Sequence, residues 1–378
     1  MRGLGKIEEK VLAENLFLFA WSLMVIHMYV TYSSLSAYSN SFVSLIAFVA
    51  FCFKILSTKY TARELAICSF LLIVGILTIQ PAQDMRVFWY AITVLALKNV
   101  DTERVIKVTY SITLVCCALF LCSYLLKFSV DEIIYIDDGN IRHGFGFGHP
   151  NTLQAYILYI VSMAIYVNYT KMKRWILIFF LLVSFIVYSF TYSRTGIIVT
   201  TIVLIMAWLI RFSPISNLMN YGLIAIAYTY ITIFSVLPII YYRYMNPIFN
   251  MLNGLLTNRI SQAAYFYGEY GVKLFGFRPI ELTYEKRYIY LDMGYETMLI
   301  CQGLIYFVIV VGTMVILLYR YTKEKNQKRL LLLFAFALFL GTENVATYIF
   351  LNVSMLFISE LIFLPNRRTR CNGRKHLL

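Results

Sequence analysis

The amino-acid sequence predicts an all-α polytopic membrane protein, and three observations carry that reading. Of 378 residues, 60% are hydrophobic and 14% charged, with a mean hydropathy of +0.72, a balance too apolar for a water-soluble domain. The apolar residues gather into twelve stretches of about 16 to 22 residues, enough for a helix to cross about 30 Å of hydrocarbon with its backbone hydrogen bonds satisfied internally. Lysine and arginine then fall on alternate sides of those stretches, the pattern set when positive charge is retained in the cytoplasm.

In chain order the spans are 13–31, 40–57, 64–80, 85–98, 105–126, 152–169, 174–192, 196–212, 220–240, 295–319, 330–348 and 350–364. Asp84 and Arg86 shorten the fourth. The run from Leu330 to Leu364 is too long for one straight span, and Gly341, Glu343 and Asn344 divide it into two helices. No small-residue cleavage site follows the first apolar run, so it reads as a span and not a secretory signal. Most of the 33 basic residues sit on the inner side, from Arg2, Lys6 and Lys10 through Arg320–Arg329 to Arg367–Lys375. Both termini are therefore expected in the cytoplasm, and the chain is expected as one multi-pass domain, 1–378, of the cell membrane. The net charge of +14 is mostly topological. Nucleic-acid binding would need those cations on one soluble face, and they are dispersed among membrane anchors. The seven cysteines have neither disulfide-framework nor zinc spacing and read as small packing residues.

Two outer loops are long enough to carry chemistry. The first, 127–151, ends in Arg142-His143-Gly144-Phe145-Gly146-Phe147-Gly148-His149-Pro150-Asn151. Alternate glycines let the backbone turn and approach a ligand closely, and Pro150 suits the first turn of a helix. His149 would cap that helix, whose positive dipole end suits an anion; a plain glycine-rich connector is the alternative. Asp137-Asp138 in the same loop reads as a solvated turn. Next, Arg194 lies in Tyr192-Ser193-Arg194-Thr195-Gly196 between two spans, where it either snorkels to the interface or meets an anion such as phosphate.

The second loop, 241–294, carries Arg259 and Arg278, the glycines Gly268, Gly271 and Gly276, and the aromatics Tyr265, Phe266, Tyr267 and Tyr270. The register Arg259, Gln262, Ala263, Phe266 predicts a short amphipathic helix on or near the membrane. Arginine suits bidentate grip on phosphate oxygens, and the aromatic faces suit sugar rings. Glu343, in Gly341-Thr342-Glu343-Asn344, puts a carboxylate near the outer end of a span. That makes it a functional candidate or the partner of an outer arginine in a structural salt bridge. Glu296 invites the same two readings.

Over about residues 140–350 these features resemble the bacterial O-antigen and capsule polymerases (Wzy-like) and the related O-antigen ligases. The features are His149-Pro150-Asn151 at a helix start, Ser193-Arg194 between spans, Asn258-Arg259-Ile260 followed by Leu274-Phe275-Gly276-Phe277 in a large loop, and a late acidic residue. The resemblance implies a metal-independent glycosyltransferase of glycosyltransferase-C-like fold that needs no cofactor. Its substrate would be undecaprenyl-diphosphate-linked oligosaccharide at the outer face, with a chain-length regulator and a flippase as partners. Arg194 and Arg259 would be the principal diphosphate ligands, supported by Arg278 and Arg142, with His149 or Glu343 as base. No histidine stands between His149 and His376, which disfavours ligation. A lipid-linked oligosaccharide flippase is the rival from another class.

Overall fold

The computed structural model describes residues 2–135, 139, 141–214, 216–243, 247–256, 258–279 and 291–363. Asp137 and Asp138, Lys286, Arg287, Cys371 and the basic cluster Arg367–Lys375 lie outside the described residues.

The chain is helical almost throughout. In order come α1 (Arg2–Thr31), α2 (Ser41–Leu56), α3 (Ala62–Ala82), α4 (Arg86–Ala96), α5 (Thr102–Leu125), a hairpin of β1 (Ile133–Tyr135) and β2 (Ile141–His143), α6 (Pro150–Asn168), α7 (Arg174–Thr191), α8 (Arg194–Phe212), α9 (Ser216–Arg243), α10 (Pro247–Leu255), α11 (Arg259–Tyr270), α12 (Leu304–Lys323) and α13 (Gln327–Leu340). Among the described residues seven helices are long and apolar enough to cross a membrane: α1, α3, α5, α7, α8, α9 and α12. Their outward faces are apolar, as on α7, where Trp175, Phe179, Leu182 and Ile186 are exposed. Such a surface suits contact with hydrocarbon. The protein is an all-α, membrane-embedded polytopic chain.

Three expected spans take a different form. The stretch expected at 85–98 is α4, only 11 residues, or about 16 Å at 1.5 Å per residue. The stretch expected at 295–319 is broken: a π-helical turn, Thr297–Gln302, ends at Gly303 (φ 97°) before α12 begins. The last, 350–364, is a 3-10 turn, Val353–Ile358, and a single α turn, Ser359–Ile362, both buried in the bundle.

Local chemistry sets the helix starts. Thr61 and Glu64 form a reciprocal capping box at α3, and the Asp101 side chain accepts from the Glu103 N–H at α5. At the centre lies α13, every residue of which from Leu330 to Leu340 is buried. It packs on α6, α8, α9 and α12, with the Tyr159 ring stacked on Phe336 at 5.7 Å.

The two ends of the bundle differ. At one, the start of α3, the α4–α5 connection, Arg320 of α12, Arg329 of α13 and the late residues Ser359, Glu360 and Phe363 surround a cavity of about 630 Å³ whose charged lining includes Glu64, Lys98, Arg329 and Glu360. Lys98 pairs with Glu64, Arg329 with Glu360 at 2.8 Å, and the buried Lys54 donates to Thr58 Oγ1 and to the Lys98 carbonyl. The other end carries the hairpin, α10, α11 and the α13 terminus, and it holds nearly all the residues singled out above.

Candidate functional site

At the hairpin end, α6 begins as the sequence suggests. His149 is its N-cap, Pro150 its first residue, and the imidazole Nδ1 accepts from the Asn151 N–H at 3.1 Å. That bond places the ring proton of neutral His149 on Nε2. Burial first, and then the neighbouring Arg142 charge, lowers the His149 pKa below the ordinary imidazole value. His149 is thus a neutral hydrogen-bond donor at Nε2, which does not suit it to serve as a base.

Arg142, on β2, donates from Nε to the Thr191 carbonyl at 2.7 Å and from Nη2 to Asn151 Oδ1. It joins the end of α7 to the start of α6. The glycine stretch beside it makes its close approach to the protein's own backbone. The Ser34 N–H and Oγ both donate to the Gly146 carbonyl, and a Cβ on Gly146 (φ +82°) would lie 2.9 Å from the Phe120 carbonyl oxygen.

Arg259 opens α11. The helix can begin there because Asn258 adopts a left-handed conformation (φ 63°) and Asn253 Oδ1 of α10 accepts from the Ser261 N–H at 2.9 Å. The inward face of α11 carries Arg259, Ile260, Ala263 and Phe266, all buried against α9 and the segment Leu291–Cys301. The helix is amphipathic as expected, but its apolar face is covered by protein. Phe266, a candidate for sugar stacking, is fully buried among Leu291, Met293 and Ile300.

The Arg259 guanidinium is only 6% exposed. Its Nη1 donates to the Thr342 carbonyl, its Nη2 lies 3.0 Å from Glu343 Oε1 and 3.7 Å from Asp292 Oδ2, and its Nε is buried without a partner among the described residues. The salt bridge open to Glu343 in the sequence is therefore present, with Arg259. Arg142 feels the charges of both Glu343 and Arg259, and His149 feels those of Arg142, Asp292 and Arg259. Arg142, His149, Arg259, Asp292 and Glu343 thus form one charged centre drawn from four separate stretches of chain.

Arg194 and Arg278 stand apart from it. Arg194 is the first residue of α8 and exposed, and among the described residues its guanidinium makes no ion pair or hydrogen bond. Expected as twin diphosphate ligands, Arg194 and Arg259 occupy opposite settings, one in solvent and one walled in by carboxylates. Arg278 lines a second cavity of about 360 Å³ beside the centre, together with Asp84, Arg86, Asp292, Asn344 and Tyr348.

Residues 271–279 are fixed to the start of α12. The Leu304 N–H donates to the Lys273 carbonyl at 2.9 Å and the Phe277 N–H to the Ile300 carbonyl at 3.1 Å. Gly276 (φ +76°) and Gly303 meet backbone to backbone, and a Cβ on Gly276 would collide with the Cys301 carbonyl.

Three participants escaped the sequence reading. Asp292 precedes an apolar helix start and so occupies a boundary where carboxylates are costly, a signal that was present but diluted in a long loop. Asn151 was read only as part of a helix start. Arg86 looked like an interruption of a span, yet it bonds Thr347 Oγ1 at 2.8 Å and lies 4.0 Å over the Tyr348 ring.

Comparison of the chain with protein-family models, with characterised proteins and with solved structures gives no match. Fold and site define a polytopic membrane protein with a charged, half-buried centre at one end of its helical bundle.

Proposed function

We infer that this chain is a polysaccharide polymerase that joins undecaprenyl-diphosphate-linked oligosaccharide repeats at the outer face of the cytoplasmic membrane. In this reading the chain crosses the membrane twelve times with both termini in the cytoplasm, and the hairpin end is the outer one. The observation that supports it is the convergence of Arg142, His149, Arg259, Asp292 and Glu343 at one end of the bundle.

In the proposed reaction a sugar hydroxyl of an incoming repeat attacks the anomeric carbon of the growing glycan. The bond from that carbon to the diphosphate breaks, and the diphosphate leaves with the electron pair. Fixed cations and donors aimed at the departing oxygens lower that barrier. Arg194 is the exposed guanidinium and Arg142 a half-buried one, and the Nε2–H of His149 adds a neutral donor. Arg278 supports from the adjoining cavity. Arg259 contributes its charge from behind and holds Glu343 and Asp292 in place.

The flippase reading draws on a specific observation as well: Glu296 is fully buried, and neither carboxylate oxygen has a partner among the described residues, a setting shared by intramembrane acids of transporters. Purified protein in vesicles, given radiolabelled lipid-linked repeats and no transmembrane gradient, separates the two. Formation of a ladder of longer glycans supports the polymerase. Passage of label across the bilayer with no new glycosidic bond replaces it with the flippase.

A further inference from the structure

Among the described residues the cavity beside the charged centre is lined from four stretches: the α3–α4 turn, Arg278, the segment Leu291–Cys301, and the turn that follows Glu343. Its charged lining groups among the described residues balance, with Asp84 and Asp292 against Arg86 and Arg278, and Gln83 and Asn344 add amide donors and acceptors. A phosphate site calls for an excess of cations. A polyhydroxylated neutral ligand calls for donors and acceptors side by side, as the described lining offers. Arg86 is not spare, because Asp84 at 3.0 Å, Thr347 and the Tyr348 ring hold it in the wall.

Among the described residues Asp292 is the one shared by the cavity and the centre. Its side chain is 38% exposed, and among the described residues its single polar contact is the 3.7 Å approach to Arg259. The two groups the sequence offered as base are otherwise engaged. Glu343 is 14% exposed and 3.0 Å from Arg259, and His149 Nδ1 already accepts a backbone N–H. Asp292 therefore presents the carboxylate oxygens with the greatest freedom to accept a proton at the junction.

Resting on the polymerase reading, we propose that this cavity receives the terminal sugar of the acceptor glycan and that Asp292 accepts the proton of its attacking hydroxyl. The hydroxyl oxygen forms the new bond to the anomeric carbon of the donor, and the bond from that carbon to the diphosphate oxygen breaks. The electron pair leaves with the lipid diphosphate. The hydroxyl proton passes to the Asp292 carboxylate and from there to water. Asp292 is then a catalytic residue, and Arg259, which orients it, is a positioning residue.

The test uses full-length protein in vesicles with radiolabelled lipid-linked repeats and a short acceptor oligosaccharide of the same sugars. Asp292→Asn should keep the wild-type melting temperature and the donor KM and lose about 100-fold or more in kcat, the usual contribution of a positioned base. Asp292→Glu should recover part of that rate and shift the acid limb of the pH profile, an effect that a purely structural residue would not produce. Gln83 adopts a left-handed conformation (φ 49°), so Gln83→Gly removes a cavity-lining side chain without straining the backbone. It should raise the acceptor KM and leave kcat unchanged. A folded Asp292→Asn that polymerises at the wild-type rate overturns the role of Asp292, as does an Asp292→Glu profile unchanged in rate and pH dependence should the Asn variant misfold. An unaltered acceptor KM in Gln83→Gly overturns the cavity assignment. If the wild type itself makes no polymer, the polymerase reading fails, a result distinct from either of these.

Discussion

The two ends of the bundle use the same side chains to different ends. Around the larger cavity the cations of the described lining each have an acid of their own, Lys98 with Glu64, Arg329 with Glu360 and Arg320 with Glu324. At the hairpin end one buried guanidinium, Arg259, serves two carboxylates, while Arg194 stands exposed without a partner among the described residues. One-to-one pairing satisfies charge and leaves little to offer a ligand, so the first arrangement is architecture. Unequal sharing leaves hydrogen-bonding capacity at the junction of helices, where a substrate can take it up.

That contrast is open to direct attack. The largest effect is expected from Arg259→Ala, which leaves Glu343 and Asp292 without their cation. Breaking a buried pair in this way costs about 3–5 kcal/mol, and polymerisation should disappear with it. A variant with wild-type melting temperature and glycan ladders would erase the distinction between the ends. Gly276→Ala comes next. It adds about 1–2 kcal/mol of backbone strain to about 1–3 kcal/mol of overpacking against the Cys301 carbonyl, and thermal unfolding in detergent would read both.

Lys98→Met probes the opposite end by stranding Glu64, whose side chain is 11% exposed. Stability should fall on the order of 3 kcal/mol, with glycan made per folded molecule unaltered; a selective loss of activity would show that this end also does chemistry. Arg194→Ala should do the reverse, lowering polymerisation by about 10²-fold, as when one transition-state donor is removed, with no change in melting temperature.

The smallest effect concerns acid. His149 is held below its ordinary pKa by burial and by Arg142 and Arg259, with Asp292 opposing. Unfolded protein therefore takes up this proton before folded protein does. The contribution of His149 is complete above the ordinary imidazole pKa and is lost as pH falls toward the folded value. Melting curves at pH 7 and pH 5 should diverge more for the wild type than for His149→Gln. Equal divergence would remove His149 from the centre.

Much of this was legible in the chain. The starts and ends of α6, α7 and α8 fall within two residues of the spans read from hydropathy, because Pro150, Arg174 and Arg194 punctuate uninterrupted apolar runs. His149 as a cap followed from the proline after it. The break at Gly303 was hidden because its cause is non-local: the glycine is needed where residues 274–276 press against it, and hydropathy carries no trace of that contact. The Arg259–Glu343 pair joins positions 84 residues apart. Sequence can nominate both members of such a pair, but only the folded bundle decides that they meet each other instead of a ligand.

α13 has a bearing on how the molecule is assembled. A helix that touches protein on every side has no lipid-facing surface of its own, and its surroundings α6, α8, α9 and α12 are all made before it. It enters a groove that these four helices have already framed, lined by groups such as Tyr159. Ribosomes halted before residue 327 would leave that groove facing acyl chains, and membrane quality-control proteases should recognise such arrested chains and spare the finished one.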